Sequence, residues 1–242
     1  MNYKKYILIP SVTVLFFGAV SCKKYLDKAP LDTITSEAFY TNATQVDQAL
    51  TGIYSAYGAR TMSPGFGNPT SYYSKMDLYT EIGLERGLNG TIGSGAYNPT
   101  DGTIREIWAG FYQVIQRANS LLFNMSRAQS VMAPEEFSRV QAEAKVLRAS
   151  AYWHLMVYFG DVPFFTGPLA QSDFFGATRT SKSAIVDALV SDLKGIATDL
   201  PWLPTAQGRV SRGVALGTAA RIAMVDRRYQ EVVSITDNII NN

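Results

Sequence analysis

Apolar residues recur at steps of three and four along most of the chain after position 40, and that spacing predicts a succession of amphipathic helices. The longest runs from Pro134 to Phe159. Phe137, Val140, Ala144, Leu147, Ala151, Leu155 and Tyr158 form its stripe, while Ser138, Arg139, Lys145 and Ser150 fall off it. Pro134 with Glu135 and Glu136 suits its N-terminus, and Gly160 followed by Pro163 suits its end. Arg148 projects onto the edge of the stripe, so burial would oblige it to find a partner. Upstream, Thr44 is read as the cap of a helix to about Tyr57, with Val46, Leu50, Ile53, Tyr54 and Tyr57 on one face. A further helix covers 104–127 through Ile107, Phe111, Val114, Ile115, Ala118, Leu121, Leu122 and Met125. Its short connection to the 134–159 helix predicts an αα-hairpin of antiparallel neighbours.

Downstream of the long helix, 164–179 reads as an aromatic loop. Ser181 opens another helix whose stripe is Ala184, Ile185, Ala188, Leu189, Leu193, Ile196 and Leu200, closed by Pro201. Turn residues fill 201–208. Two last helices, 214–225 and 229–240, join at Asp226-Arg227-Arg228. Between 58 and 102 the pattern lapses: glycines and prolines alternate with Phe66, Tyr72, Tyr73, Tyr79 and Tyr97, leaving a helix or irregular turn from Ser71 to about Glu85 and loop elsewhere. Strand patterns are scarce. The fold class expected is all-α, with tetratricopeptide-like helical hairpins and long irregular loops, although no strict 34-residue repeat is visible.

The N-terminus follows a different logic. Lys4 and Lys5 precede an apolar run from Tyr6 to Val20 that ends in Ala19-Val20-Ser21-Cys22, the layout of an export signal spanning 1–21. The run is too short to span a membrane, which takes about 20 apolar residues. The chain's one cysteine stands directly after small residues, as in a bacterial lipobox, so Cys22 is the expected lipid anchor and no disulfide can form within the chain. Ala19 departs from the leucine more usual there. The chain carries 22 basic and 20 acidic side chains, and removal of Lys4 and Lys5 with the signal makes the two counts equal. Without a basic cluster, nucleic acid is not an expected partner.

Candidate catalytic chemistry is sparse. His154 is the only histidine, which rules out a multi-histidine metal site within the chain, and its place beside Trp153 and Leu155 suits a structural role. Asp77, Glu81 and Glu85 share a helical spacing of four, and with Asp101 they could supply the two carboxylates of a glycosidase, but a solvated helix face explains them as simply. Gly87 to Gly95 is glycine-rich yet lacks the Gly-Lys-Ser/Thr ending of a phosphate loop. No cofactor and no metal are expected. Tyrosine faces stack on the C–H faces of sugars while amides and charged groups bond the hydroxyls, so the 58–102 loop is the candidate ligand surface.

Several blocks, in order, resemble the SusD/RagB-like outer-membrane lipoproteins of Bacteroidetes. Ser21-Cys22 through Pro30, Thr35 through Tyr40 and Ala49 through Tyr54 are similar to the start of that family. Trp108 through Asn119 is similar to its next helix, and Ala142 through Tyr152 leading to Tyr158-Phe-Gly-Asp-Val-Pro163 to its most recognisable block. Arg179-Thr-Ser, Ile185 through Leu193, Leu200-Pro201 and Gly208 through Ala215 follow. The resemblance implies a non-enzymatic, surface-exposed lipoprotein that captures an oligosaccharide or peptide and passes it to a SusC-like TonB-dependent transporter. It places residues 22–242 as the N-terminal helical domain of proteins that are generally longer, their C-terminal half being absent here. By position and chemistry, Tyr72, Tyr73, Asp77, Arg86, Tyr97 and Asn98 are the candidate ligand-binding residues. The alternative is a helical-repeat scaffold that binds a protein partner and no nutrient.

Overall fold

Asn42 starts the first helix by accepting the Gln45 backbone N–H at 3.0 Å on its side-chain oxygen, while the Gln45 side chain accepts the Thr41 N–H at 2.9 Å. This exchange makes Asn42 the cap rather than Thr44, because its oxygen reaches the third amide of the first turn. The computed structural model describes residues 39–61, 102–168 and 170–242. Tyr40–Asn242 forms one compact unit. The helices, in chain order, are α1 (Ala43–Thr61), α2 (Gly102–Asn124), α3 (Pro134–Phe159), α4 (Gln171–Phe175), α5 (Lys182–Ile196), α6 (Arg212–Val225) and α7 (Tyr229–Ile240). Short 3-10 segments, Met125–Val131 and Ala197–Asp199, extend α2 and α5. Among the described residues the one extended pairing is an isolated antiparallel bridge between Val162 and Thr180.

α3 is the axis of the unit. It packs against α1, α2, α5 and α6, and is therefore buried on more than one stripe: Ala142, Val146, Ala149 and Tyr152 are as enclosed as Val140, Ala144, Leu147, Ala151 and Leu155. Tyr158, placed on the stripe by periodicity, is instead exposed, while the next residue, Phe159, packs on Trp108 of α2. Gly160 ends the helix at φ 68°, with its N–H on the Met156 carbonyl; a side chain there would be strained.

Hairpins follow one another around this axis. α2 pairs with α3, α5 with α6, and α6 with α7. Ser181 caps α5 by accepting the Ala184 N–H at 3.4 Å. The buried face of α5 is Ile185, Val186, Leu189, Val190, Leu193 and Ile196, whereas Ala184 and Ala188 face solvent, so the stripe is rotated from the expected one. Bulk explains the rotation, since two valines bury more apolar area than two alanines. The expected aromatic loop after α3 holds the single-turn α4, whose start is fixed by Asp173 accepting the Ala170 N–H at 2.8 Å. No helix among the described residues is long and apolar enough to cross a membrane.

Candidate functional site

A buried polar network joins α2, α3 and α5 to the segment after α3. Asn119, fully buried on α2, donates its amide to the Phe165 and Gly167 carbonyls at 3.0 and 2.9 Å. Its side-chain oxygen accepts from the Arg148 guanidinium at 2.9 Å, and Arg148 also reaches the Thr166 carbonyl and Asp192 on α5 at 3.3 Å. This is the partner set that the sequence demanded for a buried arginine. Burial opposes the charge on Arg148 and Asp192 supports it. Lys145 shares the same Asp192 at 2.7 Å.

Tyr152 completes the arrangement. Its hydroxyl donates to the Phe165 carbonyl at 3.0 Å and accepts the Phe165 N–H at 2.7 Å, while Tyr112 donates to the Pro163 carbonyl at 2.7 Å. Burial pushes both phenol pKa values well up, so these hydroxyls keep their protons. Asn119, Arg148, Tyr152 and Tyr112 thus bond the backbone of 163–167 and hold it against α2. A segment this polar in backbone and this tightly bonded is a fixed wall.

What the wall encloses is a cleft of about 610 Å³. Its floor is one stripe of α2, Ala109, Tyr112, Gln113 and Gln116, with Trp108 at one end; Pro163, Phe165 and Ala177 form the opposite side. Trp108 and Tyr112 lie with ring centroids 4.9 Å apart, and Phe159 meets Trp108 edge to face at 4.9 Å. The volume falls in the range of small-molecule sites, roughly 300 to 1,000 Å³. Its described walls are aromatic and apolar, with two side-chain amides. A second, more polar cleft of about 310 Å³ lies between α5, α6 and α7, with Trp202 under the Arg212 guanidinium. Arg212 there serves the fold, donating to the Ala197, Thr198 and Leu200 carbonyls.

Cys22, Tyr72, Tyr73, Asp77, Arg86, Tyr97 and Asn98 lie outside the described residues, as do Glu81, Glu85 and Asp101. Among the described residues no group of three His, Cys, Asp or Glu side chains is placed to hold a metal ion. The cleft residues Trp108, Gln113 and Gln116 were not singled out by periodicity. A signal existed: Trp108 and Tyr112 sit four apart, off the apolar stripe of α2, and the aromatic run Phe164-Phe165 needed a surface to meet.

The family model described as SusD-like, "Starch-binding associating with outer membrane", matches residues 24–224. A SusD-like protein of Formosa agariphila, P25, is 28% identical over 227 residues, covering 89% of this chain and 42% of that protein. Among solved structures, a SusD-like carbohydrate-binding protein from Bacteroides fragilis superposes with a TM-score of 0.71 at 23% identity over 84% of this chain and 41% of that one. A laminarin-binding SusD-like protein superposes with a TM-score of 0.69 at 27% identity, over 81% and 43%. The chain spans less than half the length of these relatives.

Proposed function

The chain belongs to the SusD-like family, and on that premise we propose that it captures glycan at the outer membrane and passes it to a SusC-like TonB-dependent transporter without chemical change. The observation that carries this reading is the preformed cleft along α2, whose aromatic walls and paired glutamines offer ring faces and hydroxyls the partners they need. The relative described as laminarin-binding supports a carbohydrate over a peptide. Cys22 is proposed as the acylated anchor that keeps the protein at the surface. Tyr72, Tyr73, Asp77, Arg86, Tyr97 and Asn98 are proposed to extend the ligand surface beyond the cleft.

Isothermal titration of the intact protein with oligosaccharides and peptides tests capture; binding to some oligosaccharide is expected, and heat from none of them would sink the reading. Anchoring is read separately. Cells fed radiolabelled palmitate should label the wild type and not Cys22→Ala, and label retained in the variant would remove the anchor assignment. One observation favours the scaffold alternative: Tyr229, Val233 and Ile240 make an exposed apolar stripe on α7. A scaffold would bind a protein partner while giving no heat with any glycan.

A further inference from the structure

The stripe of α2 that floors the cleft begins before Trp108. At about 100° per residue, as 3.6 residues per turn require, Arg105 falls on the same line of the helix as Tyr112 and Gln116, one turn before Ala109. Its side chain therefore stems from the cleft face at the Trp108 end. Arg179 reaches the opposite side by another route. The antiparallel bridge between Val162 and Thr180, closed by the Thr180 N–H on the Val162 carbonyl at 3.0 Å, sets the next pair, Pro163 and Arg179, across from each other. Successive pairs alternate faces, so Arg179 shares the face of Pro163, which lines the cleft, and not that of the buried Val162. Ala177, two residues earlier, lines the cleft as well.

Elsewhere in the unit guanidinium groups are spent on the fold: Arg139 and Arg209 on Glu143, Arg148 on Asp192, Arg228 on Asp187 and Asp226. Arg105 and Arg179 are exposed, and among the described residues neither has a carboxylate within ion-pair distance. Acids on the same segments serve other ends. Asp161 accepts the Lys182 N–H and Asp173 the Ala170 N–H, while Glu106 lies about 100° around α2 from Arg105.

We propose that the cleft takes an acidic glycan, its sugar rings laid on Trp108, Tyr112 and Phe165 and its carboxylate or sulfate groups met by Arg105 and Arg179. The inference deepens the capture reading and rests on it. The rings attract the C–H faces of any pyranose, charged or not, so they hold the ligand without choosing it. The choice falls to charge. A guanidinium fork meets two oxygens of one anionic group at once, in hydrogen bonds roughly twice as strong as those it gives a neutral hydroxyl. Because both arginines are exposed, the anion keeps part of its water, and the desolvation that offsets a buried ion pair is largely avoided. Asn119 and Tyr152 fix the Phe165 side in advance, so little ordering is lost on binding.

Calorimetry on the intact protein tests this with three probes: a laminari-oligosaccharide as the neutral one, an oligoalginate for carboxylate and a sulfated galactan oligosaccharide for sulfate. At least one anionic probe should bind about tenfold tighter than the neutral probe, and the tighter of the two identifies the acid that is read. Raising the salt from about 0.01 M to about 0.15 M, which shortens the screening length from about 30 Å to about 8 Å, should weaken that probe and leave the neutral one nearly unchanged. Arg105→Gln and Arg179→Gln should each weaken the anionic probe about threefold and together about tenfold, without weakening the neutral one. Melting temperature shows whether Arg179→Gln has disturbed the bridge to Val162; Arg105→Gln carries the test if it has. A neutral probe binding as tightly as both anionic ones, or an acidic preference that survives both substitutions, would overturn the assignment while leaving capture intact. Heat from no glycan at all would remove capture itself, and the acidic preference with it.

Discussion

His154 sits 1% exposed in α3, its ring stacked on Phe111 at 4.5 Å and 13°, with the Trp153 ring edge-on and the Tyr57 hydroxyl 3.3 Å from Nε2. Burial, with Arg221 adding to it, pulls its pKa from 6.5 down to about 4. The native ring is therefore neutral through the physiological range and packs as an aromatic group among Phe111, Trp153 and Tyr57. The consequence for stability has a definite sign. The unfolded chain takes up a proton at about 6.5 and the native chain only near 4, so acidification between those values feeds the unfolded state and stability falls. Below about 4 both states are protonated and this loss stops growing. Denaturant unfolding from pH 7 to pH 4 should show the wild type losing on the order of 3 kcal/mol more than His154→Gln, since carboxylates titrate alike in both. Parallel curves for the two proteins would mean the native ring accepts its proton as freely as the unfolded one.

At the level of elements, the rotation of α5 separates what periodicity reads from what packing decides. The sequence spacing admits Ala184 and Ala188 on the inner stripe, yet Val186 and Val190 take those places against α3 and α6. A charge at each position discriminates. Val190→Asp should cost several kcal/mol through a buried unpaired carboxylate, while Ala188→Asp, facing water, should stay within about 0.5 kcal/mol. Thermal melts of the two variants measure this, and equal losses would restore the expected stripe. Helix existence, order and most ends were legible because long periodic runs and the Gly160, Ser181 and Pro201 signals are local. The facing of α3 was not, because a helix with neighbours on several sides has no single stripe to read. The cleft was legible only in part, through the spacing of Trp108 and Tyr112. Its floor lies on α2 and its wall some 50 residues later, as in the Tyr112 to Pro163 bond, and no local pattern joins them.

Across the whole unit, the hairpins are sequence-local and could open one at a time, yet α1 is bound to a segment that lies far along the chain. Tyr54 donates to Glu143 at 2.6 Å and accepts the Val210 N–H at 2.8 Å, and Arg209 reaches Asp47 at 2.7 Å and the same Glu143. Glu143 is fully buried on α3, where Arg139 also bonds it, and a buried carboxylate is tolerated only where it is paired and hydrogen-bonded. Three distant stretches, 47–54, 139–143 and 209–210, thereby share one buried charge. Contacts of that separation are slow to form and, once made, couple elements that would otherwise fray independently. Tyr54→Phe removes the hydroxyl at the centre and leaves both Glu143 and the Val210 amide short of a partner. Native-state hydrogen exchange on the wild type should find α1 opening together with α3 and α6. In Tyr54→Phe, amides of Ala43–Thr61 should exchange at least tenfold faster while those of α3 keep most of their protection. If α1 already exchanges ahead of α3 in the wild type, the shared charge does not bind the unit together, and cooperativity must come from the α3 core alone.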